Sequence, residues 1–325
     1  MLSRELKIAL AVFLDLIIGD PVKFPHPVQF FAFLAGKLEK VFRKISKNGR
    51  ITGRTAGICM WFGVISITCF LIIFIIRAAY GIHFILGDVL SVYFLYTALA
   101  ARGLADHGWK VYSALRENDL PLARKRVGMI CSRETGSLDV EGISRSAVES
   151  IAENVSDGVI GPLLFALAGG PAGAMLYKAV NTLDSLVGYK NEKYREIGWF
   201  SAKADDIVNF IPSRITGFFI CAAAFITGSN GKQAWRIMMR DARKHSSPNA
   251  GYPEAAAAGA LNIRLGGKDF YFGKLIAKPC LGDPGEPVQP VHIKKVIQLF
   301  FFSYGLSLLF FTGIPGIIRI ILKIY

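Results

Sequence analysis

TAGICMWFGVISITCFLIIFII, from Thr55 to Ile76, is 22 residues long and carries no charge. At 1.5 Å of rise per residue, a helix of this length crosses a hydrocarbon core of about 30 Å, so this run decides the class of fold. VIQLFFFSYGLSLLFFTGIPGII, Val296 to Ile318, is a second such run of 23 residues. Working outward, Ile82 to Ala101 is interrupted only by His83 and Asp88, and Ile207 to Gly228 only by Arg214. Both are expected to be spans with a polar insertion. Val159 to Val187 is apolar but holds Gly169-Gly170-Pro171, then Lys178 and Asp184. It reads as one broken span or as a re-entrant pair of half-helices.

The N-terminal stretch Ile8 to Ile18, behind Arg4 and Lys7, has the outline of a signal peptide, yet Asp15 interrupts it and no small-x-small cleavage site follows. At 11 residues it is too short to span and is expected to lie in the interface or to insert half-way.

Composition agrees with a membrane class. Of 325 residues, 52% are hydrophobic and 19% charged, with a mean hydropathy of +0.41; soluble domains carry roughly 25% charged residues. The formal charge of +14 and pI near 9.6 would permit nucleic-acid binding, but the basic residues flank apolar runs instead of studding a soluble aromatic surface, so no nucleic-acid partner is expected. The cysteines Cys59, Cys69, Cys131, Cys221 and Cys280 form no C-x-x-C pair, which signals neither a disulfide framework nor a zinc site.

Segment 20–54 holds Lys23, Lys37, Lys40, Arg43, Lys44, Lys47, Arg50 and Arg54, with Glu39 its only acid beyond Asp20. Under the positive-inside rule it is cytoplasmic, and the short turn at 77–81 returns the chain to that side for 102–158. The side occupied by 188–206 depends on whether 159–187 and 207–228 cross. Gly266 to Pro290, rich in Gly and Pro, is expected to be an irregular surface loop. The expected architecture is an all-α, polytopic integral membrane protein, a single domain over 1–325. It has four to five transmembrane helices and large polar, mainly helical insertions.

Several polar constellations can carry chemistry. In Gly142 to Gly158, GISRSAVESIAENVSDG, helical spacing sets Ser146, Glu149, Glu153 and Asp157 on one stripe. Stacked carboxylates repel and call for a cation. Nucleotide-bound Mg²⁺ fits, because it takes one or two carboxylates and fills its shell with phosphate oxygens and water; a solvated acidic face has the same pattern. In Tyr177 to Ser185, Lys178, Asn181 and Ser185 share a face with Asp184 beside it. Ionisable groups in such apolar surroundings are functional candidates, the alternatives being a Lys178–Asp184 structural pair or a snorkelling lysine.

KADDIVNFIPSR, Lys203 to Arg214, puts Asp205 and Asp206 four and three residues before Asn209, with Pro212 breaking the backbone ladder. This suits metal–phosphate coordination or, equally, a helix N-terminus dressed with acids. Arg236, Arg240, Arg243 and Lys244 form a basic face for phosphate or anionic lipid. The turn Ser247 to Pro253 then delivers Asn249, Tyr252 and Glu254 onto an alanine-rich helix. No P-loop, zincin, nucleophile-elbow or dinucleotide fingerprint occurs, so any nucleotide site is non-standard.

Five stretches taken together resemble one family: LDLIIGDPVKFPHPVQ from Leu14, ESIAENVSDGVIGPLL from Glu149, YKAVNTLDSLVGYKNEKY from Tyr177, ADDIVNFIPSR from Ala204 and SPNAGYPEAAAAGALNIRLGG from Ser247. They are similar to the adenosylcobinamide-phosphate synthase family, the membrane-bound CobD/CbiB group of cobalamin (vitamin B12) biosynthesis. The resemblance covers nearly the whole chain in order; the tail after Pro290 adds nothing. It implies a multi-pass cell-membrane ligase, dependent on ATP and Mg²⁺, that joins the propionate carboxyl of adenosylcobyric acid to the amine of aminopropanol or aminopropanol phosphate. The lipid bilayer and other late cobalamin-assembly enzymes would be its further partners.

A carboxylate forms an amide only after its oxygen becomes a leaving group, so an acyl phosphate formed with release of ADP is expected. On this reading Glu149, Glu153, Asp157, Asp205 and Asp206 hold Mg²⁺-ATP, Lys178 and Arg214 neutralise phosphate charge developing in transfer, and Asp184 is a further catalytic candidate. His26, in the turn from Asp20 to Pro27, is a candidate base for the amine, a corrinoid contact or a structural histidine. Asn249, Tyr252 and Asn262 suit corrinoid amides, and Asn154, Asn181, Asn209 and Arg240 are further candidate cofactor-binding residues. The competing class is a transporter with Asp88, Lys178, Asp184 and Arg214 along a path; it predicts pseudo-symmetric halves that the sequence lacks. A lipid head-group transferase would need a denser aspartate signature than Asp157-Gly158.

Overall fold

The architecture is that of a computed structural model, described for residues 1–19, 26–189, 191–271 and 273–313; for 269–271 and 274 the description is of backbone alone. Asp20, Pro21 and Lys23 of the N-terminal turn, and the end of the last apolar run, lie outside the described residues.

In chain order the helices are α1 (Arg4–Ile18), α2 (Pro27–Lys47), α3 (Gly53–Ile82), α4 (Phe84–Ala98), α5 (Ala101–Arg116), α6 (Leu120–Val127) and α7 (Val140–Val155). There follow α8 (Gly161–Val187), α9 (Trp199–Val208), α10 (Phe210–Ile226), α11 (Gly231–Asp241), α12 (Gly251–Leu261), the strands β1 (Leu265–Tyr271) and β2 (Lys274–Leu281), and α13 (Pro290–Leu308). Four segments are long and apolar enough to cross a membrane: Gly53–Ile82, Phe84–Arg116, Val140–Val187 and Pro290–Gly313. The pair α9 and α10, broken at Asn209, makes a fifth if both halves belong to one crossing. The chain is thus the all-α polytopic membrane protein expected. It folds as two compact units, one of residues 1–100 and 161–209, the other of 101–160 and everything from 210 on.

In the first unit α3 packs on α2, α4, α8 and α9. Thr52 caps α3, its Oγ1 accepting the Thr55 N–H at 3.1 Å. Phe62, Phe70 and Phe74 stand exposed on its surface; such an apolar face suits lipid and would be a liability in water. The basic stretch 20–54 is largely not loop. Lys37, Lys40, Arg43, Lys44 and Lys47 lie on α2, an amphipathic helix that buries Phe31 and Ala35 and carries cations in its last turn, where they complement the helix dipole.

Asp88, on α4, is buried but answered: Lys7 Nζ stands 2.7 Å from its Oδ1, the Tyr80 hydroxyl donates to the same oxygen at 2.6 Å, and the Leu2 N–H donates to Oδ2 at 2.8 Å. This network anchors α1, and it ties up one of the four residues on which a permeation path depended. The expected break in 159–187 is at Gly170, whose φ of 60° and ψ of −149° no helix holds, with Pro171 next. A π-helical turn over Ser156–Ile160 precedes α8.

In the second unit α12 is mostly alanine and glycine and is buried between α10, α11 and α7. A Cβ on Gly259 would stand 2.6 Å from the Gln233 carbonyl oxygen, and one on Gly217 2.6 Å from Met238 Sδ; small residues are what permit this approach. α13 packs on α5, α7 and α10.

The irregular loop expected at 266–290 is largely a hairpin. β1 and β2 pair antiparallel, with Leu265 opposite Leu281 and a bulge between Leu265 and Gly267. The signal was present in the sequence, as an aromatic cluster meeting Gly273, whose φ of 74° suits a turn. Gly57 has no room for a side chain, since a Cβ there would overlap the Ile197 carbonyl oxygen. Gly57→Ala is therefore expected to lower stability by about 1–3 kcal/mol, seen as a lower unfolding temperature in detergent.

Candidate functional site

In the first unit α8 and α9 gather an acid and amide group. Asn209 is buried and fully used: its Oδ1 accepts from the Tyr177 hydroxyl and its Nδ2 donates to Asp205 Oδ2 at 3.0 Å. The adjacency of Asp205 and Asn209 foreseen from their spacing is realised. Asp205 Oδ1 is buried and makes no hydrogen bond of good geometry; Asn181 is a second side-chain donor toward the carboxylate, and Asp184 and Asp206 lie within electrostatic reach of it. Asp206 is 3.4 Å from Lys203 Nζ, and a Cβ on Gly188 would overlap the Asp184 carboxylate.

Three carboxylates are thus brought together with one buried acceptor unmet, an arrangement that fits a cation. Among the described residues no set of three or more His, Cys, Asp or Glu stands ready to cage a metal. The fit is therefore to an ion held by one or two carboxylates and completed by phosphate oxygens, as for nucleotide-bound Mg²⁺. Lys178 and Asn181 lie on the same helix, where the Lys178 carbonyl accepts from Thr182 Oγ1 at 2.7 Å and that of Asn181 from Ser185 Oγ at 3.0 Å.

In the second unit Arg214 is held between two rings, with its guanidinium carbon 3.4 Å from the Phe210 centroid and 4.3 Å from that of Tyr252. One nitrogen, Nη1, donates to the Phe210 carbonyl at 2.6 Å and to Asn249 Oδ1 and Ser213 Oγ, each at 3.3 Å. Among the described residues no carboxylate pairs with it. Stacking and a fixed Nη1 orient the planar fork while leaving Nε and Nη2 for an anion. Three candidates from distant parts of the chain, Arg214, Asn249 and Tyr252, therefore meet.

Other candidates have different duties. Glu149 is neither a solvated acid nor an open metal ligand. It is buried, paired to Arg133 through Oε2, and accepts the Gly266 N–H through Oε1 at 2.7 Å, a bridge that fastens the hairpin to α7. Glu153 and Asp157 are half-buried, and the π-helical turn takes Asp157 out of the 3.6-residue register that put it on the Glu149 stripe. Asn154 Nδ2 turns back to the Ser150 carbonyl at 2.8 Å. His26 caps α2, its Nδ1 accepting the Val28 N–H at 3.3 Å. Asn262 ends α12 in the left-handed conformation, with φ 54° and ψ 43°, a cap that asparagine tolerates well.

Arg240 is committed to protein acids: Nε and Nη2 reach Asp241 at 2.8 and 2.7 Å, and Nη1 reaches Asp283 at 2.6 Å. Lys244 Nζ is 2.6 Å from Asp241, and Arg236 pairs with Asp283. The basic face is a staple that holds the 282–283 turn on α11 and is not an open phosphate site.

Of a further group on the same unit, Arg133, His245, Glu254 and the half-buried Lys278, sequence reasoning singled out only Glu254. His245 Nε2 and Glu254 Oε2 are 3.9 Å apart. Burial pushes the Glu254 carboxyl well above the usual range, helped by the negative charges of Glu149 and Glu153 and opposed by Lys278 and Arg133. Burial lowers the His245 imidazole, with Lys278 adding to the effect. The signal for Glu254 was a lone acid in an alanine helix; Arg133 lies in a stretch with no periodicity to give it away.

The crossing helices, with ionisable groups gathered inside each unit, define a polytopic membrane protein of buried charge clusters. Comparison gives the family. The model of the CobD/CbiB proteins matches residues 8–300, and the chain belongs to that family. It is 44% identical over 321 residues to the cobalamin biosynthesis protein CobD of Clostridium perfringens, covering 98% of this chain and 99% of the relative. The protein of that name from Geobacter metallireducens is 46% identical over 291 residues, 90% of each chain, and that of Klebsiella pneumoniae 42% over 301 residues, 93% and 94%. No solved structure matches at a significant level.

The staple offers a test of its energetics. Arg240, then Lys244 and the Gly282 N–H, hold the Asp241 carboxyl well below the usual carboxylate range. A depressed carboxyl contributes its stability above the ordinary value of about 4 and loses it as pH falls further. Asp241→Asn should cost about 2–3 kcal/mol at pH 7, and the gap from the parent protein should close in unfolding curves taken below about pH 3.

Proposed function

We propose that this protein is an ATP- and Mg²⁺-dependent carboxylate–amine ligase of cobalamin biosynthesis, an adenosylcobinamide-phosphate synthase. It would join the propionate carboxyl of adenosylcobyric acid to aminopropanol or aminopropanol phosphate. The observation that carries the reading is Arg214, a stacked, oriented guanidinium with no protein carboxylate. Such a group suits an anionic part of a substrate, whether carboxylate or phosphate. The names of the relatives support the cobalamin context.

In the first unit the unmet Asp205 Oδ1, with Asp184 and Asp206 in reach, suits the Mg²⁺ of a bound nucleotide, which would supply charge neutralisation during phosphoryl transfer. Tyr177, through Asn209, keeps Asp205 oriented. Lys178 is assigned to phosphate charge. ATP turns the carboxylate oxygen into phosphate, a leaving group, releasing ADP; the amine then displaces that phosphate. Arg214 would bind and orient the anionic partner, and its stacking on Phe210 and Tyr252 removes the entropy of aiming it.

Purified protein incubated in detergent with adenosylcobyric acid, ATP, Mg²⁺ and aminopropanol phosphate should give a corrinoid whose mass gain equals amide condensation, dependent on both ATP and amine. Asp205→Asn should lower turnover by about 10²-fold or more and Arg214→Lys by about 10-fold, with both proteins remaining monodisperse. No product with any amine from folded parent protein overturns the ligase, and full activity in Asp205→Asn overturns the metal assignment.

Basic stretches 20–54 and 102–158 argue for a cytoplasmic face. In a cysteine-free background, Lys47→Cys should react with an impermeant maleimide in inverted vesicles and not in intact cells.

A further inference from the structure

We propose that the buried Glu254 and His245 pair receives the primary ammonium of the amine substrate, the Glu254 carboxylate taking its proton. The inference rests on the ligase reading above. Both side chains are closed off, with exposures of 6% for Glu254 and 7% for His245. The imidazole is oriented by Ser247, whose N–H lies 3.1 Å and whose carbonyl oxygen lies 3.4 Å from Nδ1; with the shorter bond made, the neutral ring carries its proton on Nε2. That Nε2 faces Glu254 from 3.9 Å, beyond hydrogen-bond reach, and makes no hydrogen bond.

A buried imidazole nitrogen aimed at a buried carboxyl without bonding to it leaves polar capacity unmet on the ring, which proteins rarely tolerate without a ligand. An ammonium carries three donors, and a carboxylate accepts them. The charge acting on Glu254 is mixed: Glu149 and Glu153 on α7 add negative charge, while Arg133 and, on β2, Lys278 add positive charge. A carboxyl raised by burial is also suited to taking a proton near neutrality. One ten-residue segment, His245 to Glu254, carries this pair together with Asn249 and Tyr252, which hold Arg214. An acceptor for a cationic group and the support of a donor for an anionic one thus lie on a single turn.

The step balances. The ammonium gives one proton to the Glu254 carboxylate, and the freed nitrogen lone pair attacks the acyl phosphate carbon. As the C–N bond forms and the C–O bond to phosphate breaks, the second proton leaves with the phosphate as hydrogen phosphate. Glu254 then returns its proton to solvent past His245.

Hydroxylamine distinguishes this step from carboxylate activation, since it is already unprotonated at neutral pH and needs no base to attack an acyl phosphate. Full-length Glu254→Gln, assayed with adenosylcobyric acid, ATP and Mg²⁺, should form the hydroxamate at the parent rate. Its amide formation with aminopropanol should fall by about 10²–10³-fold, a deficit that shrinks as pH rises and the amine frees itself. His245→Gln should lower amide formation by about 10-fold, again sparing the hydroxamate, and it carries the test if Glu254→Gln is not monodisperse. Parent-like amide rates in the variant, or equal loss of amide and hydroxamate, overturn the assignment. Parent protein that makes neither ADP nor hydroxamate overturns the ligase reading itself and this proposal with it.

Discussion

Alanine and glycine give α12 so little side chain that neighbouring backbones touch it, and the second unit is organised round that approach. Gly259 lies against the Gln233 carbonyl, and a Cβ on Gly251 would overlap that of Ala242. Contact this close excludes water along the helix, so any polar group carried at its N-terminal end is desolvated on arrival. That is why Glu254 is buried at all, and why Asn249 and Tyr252, one turn earlier, are firm enough to hold Arg214 between two rings. Apart from Glu254 in its first turn, the helix offers no chemistry; it sets the dielectric and the geometry in which its flanking residues act.

The first unit solves the problem of charge in apolar surroundings differently. Asp88 is answered completely, by Lys7, Tyr80 and the Leu2 N–H, and so becomes an anchor for the N-terminal helix. Asp205 is answered only by neutral amides, those of Asn209 and Asn181, with Asp184 and Asp206 adding repulsion. The contrast separates a structural acid from a candidate ligand, because a satisfied charge has nothing left with which to bind. The same criterion retires Glu149 and Arg240, whose partners are all protein groups, and singles out Arg214, whose partners are rings and neutral oxygens.

Much of this could be read along the chain. Uncharged runs announced α3 and α13, Gly170-Pro171 announced the break in α8, and four-residue spacing announced the Asp205 and Asn209 contact. Reading failed where the deciding partner was remote. The basic face on α11 suited phosphate or anionic lipid by its spacing alone, yet Asp283, more than forty residues on, lies against it. The hairpin was hidden because its Gly and Pro residues equally fit an irregular surface loop, when the aromatic cluster flanking Gly273 was the stronger sign.

Sequence by itself determined that this chain enters a membrane, because hydrocarbon admits only segments that satisfy their own backbone, and that condition is local, set by length and the absence of charge. It also determined the family, since five ordered motifs need no coordinates to be recognised. Which ionisable residues remain available for chemistry was decided only by the tertiary structure. A carboxylate's state depends on what lies within a few ångströms of it, and for Glu149, Asp241 and Glu254 those neighbours come from other elements, Arg133, Gly282 and His245 among them, that no periodicity along the chain brings together.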